Sequence, residues 1–276
     1  MRQPFLSSRL RCGAPALFLV AGLPGSGMAD PNPAFSDTAL TALSGQVMTA
    51  DGQPLVNVAV RDGHAGTRTD AQGRFLIAKV PAGVSVLTLD GRHASADGKT
   101  DYGLFEMQVT AVAGQTTALP FTSYLPQIDH AHDVAIASPT TSAVVIKSAT
   151  IPGLELHIPS GAIITDTDGQ PVTKIGITQM PVDRTPFPMS RSIDVPLHFT
   201  IQPGGATITG VNGTSVGVQI YYPNYQHALP GARVTFHSYD PFKSGWARSG
   251  AGTVSADGSQ IIPDKDTLIH DLTGAI

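Results

Sequence analysis

Glycine and proline interrupt this chain so often that little room is left for a long helix. The 276 residues include 29 Gly and 22 Pro, and they cut nearly every window in which apolar residues could recur at helical spacing. The dipeptide Asp-Gly, a strong signal for a tight hairpin turn, begins at positions 51, 62, 90, 97, 168 and 257. The sequence therefore favours short strands joined by tight turns.

The runs between these turns are short and rich in β-branched residues. Residues 55–60 (Leu-Val-Asn-Val-Ala-Val) and 84–89 (Val-Ser-Val-Leu-Thr-Leu) are examples that we interpret as strands. The predicted fold class is all-β, with two β-sandwich-like domains joined by a short linker.

Composition and charge exclude several classes of protein. Hydrophobic residues make up 41%, as in soluble globular proteins, whereas charged residues reach only 14% and about 25% is usual. These values exclude a coiled coil, a helical membrane bundle and a disordered charged chain. The formal charge of -4 also lacks the basic footprint of a nucleic-acid-binding protein.

Residues 1–29 have the pattern of an export signal. A basic start precedes an apolar run at 14–23, and small residues lead to Ala29, so we predict cleavage there and a mature chain that begins at Asp30. A transmembrane anchor is the alternative, but about ten apolar residues are too few for a 30 Å hydrocarbon core. Cys12, the single cysteine, would leave with the signal. The predicted location is secreted, periplasmic or cell-surface, and the mature chain spans no membrane.

A polar segment, residues 30–42, precedes a first domain predicted at 43–125. Within it, motifs follow one another in a fixed order: Gly45-Gln46-Val47, Asp51-Gly52-Gln53-Pro54-Leu55, Val58-Ala59-Val60, Thr69-Asp70-Ala71-Gln72-Gly73-Arg74-Phe75 and Val80-Pro81-Ala82-Gly83. This series resembles the carboxypeptidase regulatory-like, transthyretin-type β-sandwich. The resemblance implies an accessory module without catalytic residues. Within the motifs, Gly73 suits a turn that needs a positive φ, and Phe75 suits a core anchor.

The second domain, predicted at 126–276, carries a longer series of motifs. They lie at 138–141, 151–162 (IPGLELHIPSGA), 168–172 (DGQPV), 181–184, 199–206, 222–225, 252–254 and 272–275. In this order they resemble the segment that precedes the repeats of bacterial RHS/YD-repeat proteins, which are related to teneurins. The resemblance implies an N-terminal plug for a hollow β-shell. No YD repeat follows in this sequence, so encapsulation and toxicity are not implied.

One histidine pair could suggest a metal site. His130 and His132 stand two residues apart, which on a strand would place both rings on one face, and Asp133 could add an oxygen ligand. A zinc or copper site needs three or four ligands, and the other histidines lie far away in the sequence. We therefore favour a simple linker over a metal site.

Residues that could suggest hydrolysis lack the surrounding pattern. Ser160 lies in Pro-Ser-Gly-Ala and not in a Gly-x-Ser-x-Gly elbow. Glu155 and Asp194 could form a glycosidase pair, but nothing in the sequence fixes the distance between their carboxylates. The protein is therefore predicted not to be an enzyme, with no catalytic, cofactor-binding or metal residue and no cofactor.

Three further features have two interpretations each. Residues 166–169 (Asp-Thr-Asp-Gly) faintly resemble a calcium loop, although the later Glu is missing, so a hairpin turn is favoured. Trp246, the only tryptophan, fits a core or rim position better than a sugar platform. Asn212-Gly213-Thr214 is a glycosylation sequon that matters only in a glycosylating host.

The favoured function is a structural docking or plugging module, truncated or split from its repeats. Its partner would be a separately encoded repeat shell or a cell-surface component. The alternatives are a carbohydrate-binding or adhesion module, which an exposed aromatic groove would support, and a hydrolase, which a pocket of convergent titratable groups would support. A strip of Tyr221, Tyr222 and Tyr225 is the predicted docking surface.

Overall fold

The computed structural model describes residues 40–95, 99–189, 195–242, 245–272 and 274–275. Within these residues the protein is all-β, as predicted, and its two helices are single 3-10 turns at His130–His132 and Val211–Gly213. No described helix has the length and apolar character needed to cross a bilayer. The predicted export signal lies outside the described residues.

Residues 42–125, here called the first half, form two four-stranded sheets. Their strands are β1 (Ala42–Thr49), β2 (Ala59–Asp62), β3 (Ala65–Arg68), β4 (Arg74–Ala78), β5 (Gly83–Asp90), β6 (Leu104–Ala111), β7 (Thr116–Ala118) and β8 (Ser123–Leu125). One sheet has the order β4-β1-β7, with β8 also paired to β1, and the other has the order β3-β2-β5-β6. Phe75 and Ile77 of the first sheet and Leu87 and Met107 of the second are buried in one cluster. This arrangement is a β-sandwich.

Residues 134–275, here called the second half, form a ten-stranded and a three-stranded sheet. Their strands are β9 (Val134–Ala135), β10 (Val144–Lys147), β11 (Glu155–Ile158), β12 (Ala162–Thr165), β13 (Lys174–Met180), β14 (His198–Gln202), β15 (Ala206–Gly210), β16 (Gln219–Pro223), β17 (Arg233–Asp240), β18 (Gly245–Val254), β19 (Gln260–Pro263), β20 (Asp271–Leu272) and β21 (Gly274–Ala275). The larger sheet has the order β10-β11-β16-β19-β18-β17-β21-β14-β13-β9, and the smaller β12-β15-β20. Alternate apolar residues of both sheets, such as Leu156 and Phe199 opposite Ile164 and Ile208, share a second cluster.

Most of the Asp-Gly dipeptides form tight turns. At 52, 63, 169 and 258 the glycine has a positive φ and the chain returns on itself. The segments beginning at Asp70 and Asp166 share one geometry, in which the aspartate Oδ1 accepts two backbone N–H bonds at 2.8 and 2.9 Å. These short polar side chains therefore replace the backbone partners that a turn leaves unsatisfied.

Two details of the first half differ from the sequence-based prediction. Asp90-Gly91 makes no tight turn, because residues 91–103 connect β5 to β6. Gly91 is instead buried, and a β-carbon there would lie 2.8 Å from Cβ of Tyr102. The strand expected at 55–60 is reduced to its end, since Asn57 has φ of 68° and β2 begins only at Ala59. The Asp-Gly dipeptide at 97 lies outside the described residues.

The two halves are joined by packing as well as by the chain. The loop between β13 and β14, rich in proline, carries Phe187 into the core cluster of the first half, together with Met180 and Tyr239. Phe187 stacks on Tyr239 with ring centroids 3.9 Å apart. This loop therefore crosses to the first half and closes its core.

Polar contacts also cross the junction in both directions. The Arg184 guanidinium donates to the Ala50 carbonyl in the first Asp-Gly turn at 2.6 Å. Arg92 of the first half contacts the Asp168 carboxylate in the matching turn of the second half at 3.2 Å. Each half therefore supplies an arginine to an Asp-Gly-Gln-Pro turn of the other.

Candidate functional site

A cleft of about 490 Å³ opens where β6 of the first half meets the strands of the second. We call it the junction cleft. It is lined from β6 by Glu106, from β15 by Thr207, from β17 by Ser238 and Asp240, from β18 by Arg248, and from β20 by Asp271. Its volume is in the range of small-molecule sites, which are often found between domains.

Three carboxylates, those of Glu106, Asp240 and Asp271, contribute to the polar lining of this cleft. Burial of Glu106 and the negative charge of Asp271 both raise the pKa of the Glu106 carboxyl. Glu106 makes no side-chain hydrogen bond to the part of the chain that the structure describes. A half-buried carboxylate without a partner is a group that a hydrogen-bond donor from a ligand would stabilise.

Glycines let the two halves approach each other at the floor of the cleft. A β-carbon on Gly205 would meet the Glu106 Oε2 at 3.1 Å and the Thr167 Cγ2 at 2.7 Å. The Gln202 Oε1 accepts the Gly204 amide at 2.8 Å and contacts the Leu104 amide at 3.4 Å. The segment 202–205 therefore fixes the start of β6, and with it the position of Glu106.

An aromatic side chain lies at the mouth of the cleft. Phe242 lines the cleft and is 72% exposed. The Phe242 amide donates to the Asp240 Oδ1 at 2.9 Å, which fixes the backbone where the ring leaves β17. A ring in this position offers an apolar surface beside the polar groups of the cleft.

A second candidate is the loop between β16 and β17, residues 224–232, which we call the docking loop. The buried Asn224 organises it, because its Nδ2 donates to the carbonyls of Ala228 and Gly258 at 2.9 Å and its Oδ1 accepts the Ala228 amide at 3.0 Å. The loop holds two apolar side chains in solvent, Leu229 at 79% and Tyr225 at 43% exposure.

The three tyrosines predicted as a docking strip do not form one surface. Tyr221 and Tyr222 are neighbours on β16, so their side chains point to opposite faces. Tyr222 is buried and stacks on Phe236, while Tyr221 stacks on His157 with centroids 3.9 Å apart. Of the three, Tyr225 is the most exposed, at 43%.

The segment with His130 and His132 is a 3-10 turn, so the strand geometry that would place both rings on one face is not formed. The Asp129 side chain accepts the Ala131 amide and the chain turns. The two ring nitrogens of His130 lie 2.9 Å from the carboxylates of Asp101 and Asp133, and His132 lies 2.6 Å from Asp129. Both rings are hydrogen-bonded to carboxylates, and one of these bonds, from His130 to Asp101, reaches out of the linker. The described residues contain no group of three side chains placed to hold a metal ion.

The residues considered for hydrolysis are not brought together. Glu155 accepts from His157 at 2.8 Å and pairs with Lys147 at 3.1 Å. The hydrogen bond from His157, supported by Lys147, holds the pKa of Glu155 below its usual range, whereas a general acid needs a raised pKa. Asp194 lies outside the described residues. The Ser160 hydroxyl donates to the Thr141 carbonyl and has no histidine partner among the described residues.

The remaining features considered in the sequence are a turn, a residue at the edge of a core and an exposed segment. In the segment 166–169, the Asp166 carboxylate accepts backbone amides and thus forms the predicted turn. Trp246 is partly buried against Phe187 and donates to the Pro188 carbonyl at 3.0 Å, as expected of a residue at the edge of a core. The sequon at 212–214 is exposed.

The residues of the junction cleft were not identified from the sequence. Glu106 and Asp271 are 165 positions apart, and no motif links them. The one sequence signal at the cleft is Gly204-Gly205, since paired glycines after a strand indicate a close approach of backbone.

No protein-family model matches this sequence, and a search of curated proteins finds no match. Among solved structures, the Bacillus anthracis TIE protein is similar, with 11% identity and a TM-score of 0.27 over 86% of this chain and 48% of that one. The chain therefore spans about half the length of that structure. A similarity this weak defines neither fold nor function.

Proposed function

We propose that this chain is an exported, non-enzymatic structural module that docks on a larger protein partner. The observation that carries the proposal is the docking loop. The side-chain amide of Asn224 is hydrogen-bonded to the backbone of Ala228 and so holds the loop. Leu229 and Tyr225 of this loop face solvent. Apolar side chains that are ordered and exposed mark interaction sites, because covering them requires little further ordering.

The sequence resemblances support the same proposal and suggest the partner. Residues 126–276 resemble the plug before an RHS/YD-repeat shell, and residues 43–125 resemble an accessory module of surface proteins. A separately encoded repeat shell is thus the favoured partner, and a cell-surface component the alternative. At about 25 cal/mol per Å², covering a few hundred Å² of apolar surface supplies several kcal/mol.

The joined halves support a scaffold role. Phe187, Met180 and Tyr239 of the second half lie in the core cluster of the first, so the two halves are expected to move together. A rigid body presents a docking surface at a lower entropic cost than two mobile domains would.

The test combines sedimentation over a range of concentrations with a pull-down against a repeat protein encoded beside this chain. We expect self-association or binding of the shell, and we expect Leu229→Ser and Tyr225→Ser to weaken it. Val84→Ser is the matched control, since Val84 is 67% exposed but lies in the first half. A chain that stays monomeric and ignores the shell would contradict the proposal.

The predicted export of the protein is tested by a separate measurement. Intact-mass spectrometry of the exported protein should find Asp30 at the N-terminus, because the basic start, the apolar run and the small residues before it fit signal cleavage. A species that still carries Met1 outside the cytoplasm would overturn this part of the proposal.

A further inference from the structure

We infer that the junction cleft binds a short neutral carbohydrate. This inference concerns a surface other than the docking loop, so it goes beyond the structural role proposed above. It rests on the shape of the cleft, on the chemistry of its lining and on the exposed ring at its mouth.

The shape indicates a small ligand and not a protein segment. The cleft holds about 490 Å³ and is bounded by strands of both halves. Contacts across its floor, from the Gln202 side chain to Leu104 and from the Tyr239 hydroxyl to the Gln108 amide at 3.3 Å, fix the two walls. The cavity is therefore preformed, which favours binding without a large ordering cost.

The lining offers donors and acceptors in the mixture that sugar hydroxyls require. Glu106 and Asp271 accept hydrogen bonds, Arg248 donates them, and the hydroxyls of Thr207 and Ser238 can do either. A hydroxyl group both donates and accepts, so adjacent hydroxyls on one ring can satisfy carboxylate and guanidinium together. Glu106, half-buried and without a described side-chain partner, is the first group that such a ligand would satisfy.

Phe242 supplies an apolar surface beside these polar groups. It is 72% exposed at the mouth of the cleft. A pyranose ring has an apolar face of C–H groups and a polar edge of hydroxyls. Packing of that face on Phe242 would bury apolar surface while the hydroxyls reach the carboxylates.

Other ligand classes fit the cleft less well. Among the described lining residues, an anion would meet three carboxylates, those of Glu106, Asp240 and Asp271, against the guanidinium of Arg248 and the ring of His270. A wholly apolar ligand would bury the Glu106 carboxylate without supplying a hydrogen-bond donor. A metal ion lacks the ligands, since no group of three suitable side chains is formed within the described residues. An amine-bearing ligand would pair with the carboxylates. Titration with a cationic sugar distinguishes this ligand class from a neutral sugar.

The experiment is isothermal titration of the full chain with cellotriose, maltotriose and triacetylchitotriose, and in parallel with the cationic chitosan trimer. We expect saturable binding of at least one neutral trisaccharide. Phe242→Ala should weaken it about tenfold by loss of ring packing. Glu106→Gln, which keeps the shape and removes a charged acceptor, should also weaken it about tenfold.

Matched controls separate the cleft from the rest of the surface. Leu229→Ala removes an equally exposed apolar side chain of the docking loop, and Asp183→Asn removes an exposed carboxylate in another loop. Both should leave sugar affinity unchanged. Fluorescence of Trp246, the single tryptophan, checks that each variant is folded. The inference is overturned if no neutral trisaccharide binds, if only the chitosan trimer binds, or if the controls weaken binding as much as the cleft variants.

Discussion

At the scale of single residues, Gly73 shows how one missing side chain supports a sandwich. Its φ is 72°, as predicted, and a β-carbon there would collide with the Val47 carbonyl, which accepts the Leu55 amide at 3.0 Å. Gly73→Val should therefore lower the free energy of unfolding by roughly 2 kcal/mol or more. Gly63→Val is the control, because φ is 57° there but no atom lies within 4 Å. Equal urea midpoints for the two variants would show that the collision is relieved.

His198 is the residue whose burial is least well compensated. It is fully buried, and neither ring nitrogen has a hydrogen-bond partner of normal geometry. Burial lowers the pKa of His198 to about 4, although the Pro181 backbone opposes the shift. The unfolded chain then binds a proton between about pH 6.5 and pH 4 that the folded chain does not. Stability is expected to fall as pH decreases through this range.

Replacing His198 by phenylalanine should remove this acid sensitivity. The ring would stay next to Phe187 and Trp246, and the unpaired nitrogens would be gone. We expect His198→Phe to gain up to about 3 kcal/mol relative to wild type as pH falls to 4. Chemical denaturation at several pH values measures this. His64→Phe, at an exposed turn, is the control, and a parallel pH profile for wild type and His198→Phe would contradict the explanation.

At the scale of elements, the loop between β13 and β14 acts as part of two cores. The Thr185 carbonyl of this loop accepts a hydrogen bond from the Tyr124 amide at 3.0 Å, and the Phe187 side chain is fully buried. Phe187→Ala should cost about 3–5 kcal/mol of unfolding free energy. It should also shift the thermal transition of both halves, because they share this contact. Phe242→Ala, which removes an exposed ring, should change stability by less than about 0.5 kcal/mol. Retention of a wild-type melting curve by Phe187→Ala would show that the halves are independent.

At the scale of the whole molecule, the linker contact of His130 gives stability a pH dependence of the opposite sign. Burial opposes ionisation of His130, but hydrogen bonds to Asp133 and Asp101 outweigh it and raise its pKa. A ring that donates from both nitrogens must be protonated. Its contribution is present below the unfolded pKa of about 6.5 and is lost as pH rises through the raised folded pKa. Asp101 belongs to the first half, so this contact fastens the linker that carries His130 to the first half.

His130→Gln tests the contact. The ring is half exposed, so solvent screens the ion pairs and the expected loss is about 0.5–1 kcal/mol near pH 6. The loss should shrink toward zero above the raised pKa, whereas His64→Gln should have no effect at either pH. A His130→Gln deficit that stays constant from pH 6 to pH 9 would refute the protonated bridge.

The sequence alone determined the features that depend on local backbone chemistry. Frequent Gly and Pro exclude long helices, and Asp-Gly fixes tight turns at 52 and 169, so the all-β class was predictable. The positive φ of Gly73 was predictable because Gly73 lies in a turn between two strand-like runs. Phe75 was predictable as a core residue because it resumes an apolar strand after a turn. Where a glycine is required by packing, as at Gly91, the same local signal was misleading.

Only the tertiary structure decided what lies at the junction. Glu106 and Asp271 line one cleft because the start of β6 lies against the glycines 204 and 205 that lead into β15. Phe187 enters the core of the first half because its loop crosses over. Such contacts depend on how two hydrophobic faces, each built from many residues, fit together. The hydrophobic periodicity of a single segment does not show which other face it will pack against. For this reason the strands and turns of this protein could be predicted from its sequence, whereas its cleft and its shared core could be identified only in the folded chain.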